Sequence, residues 1–165
     1  MHGYDLAAFA GFFTAVTAAA AALAGLLFVA VSINLENILK GTTMLPARAA
    51  ETLAVLIFVV ISCALALVPQ DVELLGAEIL VIVVPLAGFI VRDQVKYRQQ
   101  NPDQPLHWSV SRMMTSGIGL LPGLFAGISL AAHWGGGLYW LVPSSLLGIA
   151  GAVYSAWILL VEILR

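Results

Sequence analysis

Five long apolar runs, none with a lysine or arginine in its interior, set what this chain can fold into. They extend from about Leu6 to Ile33, Ala49 to Val68, Leu74 to Val91, Met113 to Ala132 and Leu138 to Leu164. A helix that crosses a bilayer needs about 20 largely apolar residues, because the hydrocarbon layer is about 30 Å thick and each residue rises about 1.5 Å. Membrane β-strands would alternate apolar and polar side chains over about ten residues. Stretches such as Ala18 to Val31 do not alternate. The expectation is an all-α, polytopic transmembrane bundle of about five helices, one transmembrane domain over residues 1–165.

Charge is scarce enough to exclude the soluble alternative. Charged residues make up 10% of the chain and hydrophobic ones 61%, whereas soluble domains carry about 25% charged residues. A net charge of −2 and the lack of a basic stripe exclude a nucleic-acid partner. The bilayer is the expected partner. Met1 to Asp5 contain no lysine or arginine, so the first run reads as a retained span rather than a signal peptide.

The basic residues give an orientation. Lys40, Arg48, Arg92, Lys96, Arg98, Arg112 and Arg165 are all seven of them. Five spans bring the first connection (34–48), the third (92–112) and the C-terminus to one side, and all seven fall there. The positive-inside rule puts that side in the cytoplasm and the N-terminus outside. Asp5, Asp71 and Glu73, with His2 and His133, fall on the other side. The third connection reads as an irregular loop with a helical start near Asp93 to Gln99.

Two places offer polar chemistry. Glu78 lies about one turn inside the third span, where it would bind a cation or proton in an outer vestibule or act as an interfacial carboxylate. The second place is a cluster at the cytoplasmic side: Ser32, Asn34 and Glu36 at the end of the first span, Arg48 and Glu51 with Thr52 at the start of the second, and Glu162 near the end of the fifth. Ser32 and Glu36 are four apart, as are Glu36 and Lys40; Arg48 and Glu51 are three apart. This group reads as an ion-coordinating mouth, a partner-binding patch, or interfacial capping and pairing.

Small residues recur at helix-packing intervals. Gly119, Gly123, Gly127 and Ala131 form one row, and Ser144, Gly148, Ala152 and Ala156 another; the first span has Ala18, Ala22 and Gly25. Such rows let helix backbones approach closely in lipid, within one protomer or between protomers. Pro85 and Pro122 lie inside spans, where each removes a backbone hydrogen bond and favours a kink. Such kinks shape a cavity between the third and fourth spans or, more often, are bends tolerated in a packed bundle.

Catalytic signatures are missing. The three histidines are scattered, and HExxH, G-x-S-x-G and phosphate-loop patterns do not occur. Cys63 alone makes neither an intramolecular disulfide nor a metal site. The expectation is a protein without enzymatic activity, metal or cofactor.

Ala20 to Leu35 (AAALAGLLFVAVSINL) and Ala47 to Leu56 (ARAAETLAVL) resemble small bacterial multi-span membrane proteins, some labelled as modulators of the FtsH membrane protease. That resemblance implies a small multi-span protein of the bacterial inner membrane. Two functions are expected from these features: a homo-oligomeric ion channel or small-solute transport protein, or a non-catalytic subunit of a larger membrane complex such as a protease or respiratory assembly.

Overall fold

A computed structural model describes residues 2–40, 44–100 and 106–163. It is all-α. Six α-helices occur among the described residues: α1 (Leu6–Ile33), α2 (Leu35–Lys40), α3 (Met44–Leu65), α4 (Val72–Gln100), α5 (Leu106–Ala131) and α6 (Leu141–Ile163), with short 3-10 turns at His2–Tyr4 and Gly137–Trp140. All but the six-residue α2 are long and apolar enough to span a membrane. The chain is therefore an integral, multi-pass membrane protein.

The helices run alternately up and down. Side by side they follow the order α1, α3, α6, α5, α4, with α3 also touching α4 and α5. The core between them is apolar, with Phe13, Phe58, Val59, Leu75, Ile79, Leu130, Leu138 and Leu141 at its centre. Helix α1 sits at the edge and is the most exposed span: 17% of its most apolar stretch is buried, against 56% for α3.

Caps and turns explain where the helices begin and end. Asp5 precedes α1, and its Oδ1 accepts from the Ala7 and Ala8 amides at 3.1 and 3.4 Å, satisfying donors that have no partner inside the helix. Asn34 closes α1; its backbone leaves the helical range, and its Nδ2 donates to the Ala30 carbonyl at 2.9 Å. Between α5 and α6, Gly135, Gly136 and Gly137 take φ of 87, 112 and 57°, a left-handed run that side chains would resist. Ser129 staples this turn. Its Oγ donates to the Trp134 carbonyl and accepts from the Gly137 amide.

The glycines of the α5 and α6 rows pack inside the protomer, and the row on α1 faces outward. A Cβ placed on Gly119 would lie 2.6 Å from Gly148 Cα, so α5 and α6 meet backbone to backbone. Gly123 faces the Phe58 ring and the Ser144 hydroxyl. Gly127 turns the other way, toward Gly76 and Leu80 of α4. Ala152 is buried, while Gly25 of α1 has open space around it.

Two features depart from the sequence reading. Helix α3 begins at Met44, five residues before the apolar run, because Pro46 fits a first helical turn. The helical start expected at Asp93 to Gln99 is the end of α4, but α5 starts at Leu106 rather than near Met113, so most of the connection at 92–112 is helical. Glutamine, lysine and arginine are good helix formers, and falling hydropathy there marks the edge of the apolar layer rather than the end of the helix. A void lies between α1 and α6, which scarcely meet.

Candidate functional site

The ends of the bundle differ in charge. Asp5, Asp71, Glu73 and His133 share one end, and Arg48, Arg92, Lys96 and Arg98 share the other, where α3 begins and α4 ends.

At the acidic end the polar groups hold turns together. Glu78 is half-buried in the second turn of α4, and its Oε2 accepts from Gln70 Nε2 at 2.9 Å. The same Gln70 nitrogen donates to the Leu65 carbonyl at 3.2 Å, tying the end of α3 to the start of α4. Glu73 meets His133 at 2.9 Å, and the imidazole stacks on the Tyr4 ring at 4.3 Å between centroids. His133 has a positive φ of 52°. These contacts link the starts of α1 and α4 to the end of α5.

The basic end holds the deeper site. Arg48 and Glu51, one helical turn apart on α3, are 5% and 2% exposed. Counted from Leu45, where the apolar span of α3 begins, Glu51 is about 9 Å along the helix axis. Ionised side chains at such positions are costly unless their charge is balanced and hydrogen-bonded. Both conditions are visible in part. The two carry opposite charge, and Glu51 Oε2 accepts from Ser116 Oγ of α5 at 3.3 Å. Thr52 is buried beside them and donates to the Arg48 carbonyl at 2.7 Å, and Ser155 of α6 is buried as well.

The expected cluster thus divides. Arg48, Glu51 and Thr52 enter the bundle, whereas Ser32 and Glu36 are exposed. Because α1 stops at Ile33 and α2 begins at Leu35, Ser32 and Glu36 do not lie on one continuous helix. The Ser32 hydroxyl is spent on the Phe28 carbonyl at 2.8 Å, and Asn34 caps α1. The Glu162 side chain and Arg165 lie outside the described residues. Ser116 and Ser155 were not singled out from the sequence. Ser155 stands one position before Ala156 of the small-residue row, and that row's packing is the signal that would have marked it.

Toward the acidic end the buried hydroxyls are taken up by helix carbonyls. Ser62, Ser144 and Ser145 donate to the Phe58, Gly119 and Val142 carbonyls at 2.6, 2.7 and 2.9 Å. The Phe58 ring fills the space between Gly123 and Ser144. No group of three or more histidine, cysteine, aspartate or glutamate side chains among the described residues is placed to hold a metal ion. No protein-family model, curated protein or solved structure matches this chain.

Proposed function

We propose that this protein is a small ion-transport protein of the bacterial inner membrane, its C-terminus cytoplasmic, in which the Glu51 carboxylate exchanges a proton near the cytoplasmic end. The carrying observation is the burial of Glu51 and Arg48 inside a spanning helix bundle. Carboxylates held inside a spanning bundle mark ion and proton pathways. The site lies inside the protomer, and the exposed surfaces of the spans carry no charged side chain at mid-depth among the described residues. Each protomer would then hold its own pathway, with Phe58 closing it above Glu51.

The test is proton flux into liposomes containing pure protein, driven by a potassium diffusion potential. Flux above empty liposomes, abolished by Glu51→Gln and raised by Phe58→Ala, is expected; Glu78→Gln should leave it unchanged. Flux no greater than that of empty liposomes, for protons, other cations and anions, would refute the reading.

A second reading, an accessory subunit of a larger membrane complex, is favoured by α1. Its outer face presents Gly11, Thr14, Ala18, Ala22 and Gly25, and nothing lies within 4 Å of a Cβ on either glycine. Such a face admits close approach by a helix of another chain. A second copy would also fit, giving the homo-oligomer expected from the sequence. Native mass spectrometry after gentle extraction separates these: a co-purifying protein supports the subunit, a symmetric assembly the homo-oligomer, and a monomer neither.

A further inference from the structure

The void between α1 and α6 has a volume of about 430 Å³. Its floor is formed by the buried side chains of Leu27, Leu56, Ala152 and Leu159, and its rim by the exposed Leu26 and Leu160. It exists because α1 packs on α3 and scarcely meets α6, and because Ala30, Ala152 and Ala156 are too small to fill the gap. An unfilled space of this size would deprive its lining of dispersion contacts. The rim belongs to two spanning helices, so the mouth opens onto hydrocarbon.

Depth, volume and charge point to one occupant. The α1 side of the void runs from Leu23 to Asn34, about 16 Å of helix, close to half of the roughly 30 Å hydrocarbon layer. A water molecule occupies about 30 Å³ in the liquid. A methylene group takes a similar share, so the void accommodates roughly 14 of them, one acyl chain. Its polar lining residue, Asn34, lies at the basic end, and Ile38 of α2 lines the same end. Helix α2 ends two residues later, and Arg48, Arg92, Lys96 and Arg98 share this end, with Glu36 of α2 the exposed carboxylate nearest the groove's polar end. We propose that the groove holds one acyl chain of an anionic phospholipid from the leaflet at the basic end, with its headgroup beside Asn34 and α2. This site is independent of the proton pathway at Glu51.

Delipidated protein in detergent is offered phosphatidylglycerol or phosphatidylcholine with identical chains, and bound lipid is counted by native mass spectrometry. One tightly retained phosphatidylglycerol is expected, preferred about five-fold, the equivalent of about 1 kcal/mol from one basic side chain near the headgroup. Ala156→Trp fills the groove and should reduce retention of both lipids at least five-fold. Val153→Trp, on the exposed rim, should do the same by narrowing the mouth, and it decides the matter should Ala156→Trp fail to fold. Equal retention of the two lipids by the unmodified protein, or unchanged retention in a folded groove variant, would overturn the proposal.

Discussion

Gly119→Ala isolates what the contact between α5 and α6 contributes. The added methyl carbon would stand 2.6 Å from Gly148 Cα, 2.8 Å from Gly148 N and 3.3 Å from the Ser144 carbonyl oxygen. Carbon atoms rest about 3.5–4 Å apart, so the two helices must separate by about 1 Å. All three obstacles are backbone atoms, and no side-chain rotation relieves them. Overpacking of this kind costs about 1–3 kcal/mol. Separation also stretches the 2.7 Å bond from Ser144 Oγ to the Gly119 carbonyl, worth about 0.6 kcal/mol in a membrane protein. Alanine's greater helix propensity returns up to about 1 kcal/mol. A net loss of roughly 0.6–3.6 kcal/mol is expected. Gly25→Ala makes the same chemical change where nothing lies within 4 Å, so it should be neutral or stabilising by up to about 1 kcal/mol. Reversible unfolding by dodecyl sulfate in mixed micelles, followed by circular dichroism, measures both. Equal stability of Gly119→Ala and Gly25→Ala would refute the packing argument.

Other side chains give independent checks. Ser129→Ala removes both hydrogen bonds that staple the α5–α6 turn and should lower stability by about 1–2 kcal/mol in the same assay. Glu73→Gln weakens a pair whose partners are 55% and 56% exposed, and a loss below about 1 kcal/mol is expected. Cys63 is wholly buried, so a maleimide should leave it unmodified in the folded protein and label it fully in dodecyl sulfate.

The spans were legible because hydrophobicity is local: no lysine or arginine interrupts any of the five runs, and hydropathy along the chain exposes that directly. Helix ends were less so. The helical start at Asp93 to Gln99 was legible, but the opening of α5 at Leu106 was not, because a polar stretch precedes the apolar run there. The glycine row was visible, but not its division. Gly119 and Gly123 face α6 and α3 while Gly127 faces Gly76, and only the relative placement of three helices decides this. The same holds for the polar site. Arg48 and Glu51 read as interfacial because they precede or open the apolar run. They are buried because α5 and α6 extend beside α3 and bring Ser116 and Ser155 to that depth. Glu78 was visible as an intramembrane carboxylate, but Gln70, which holds it, lies in the connecting turn and carries no pattern that names its partner.

The account rests on a five-span bundle whose basic end faces the cytoplasm. In a Cys63→Ala background, Trp134→Cys places a thiol at an exposed position of the acidic end and Gln99→Cys one at an exposed position of the basic end. With a membrane-impermeant maleimide on intact cells, stripped of any outer membrane, the thiol at 134 should label at once and the thiol at 99 only after permeabilisation. Labelling of both from the same side, or the reverse pattern, would contradict the account.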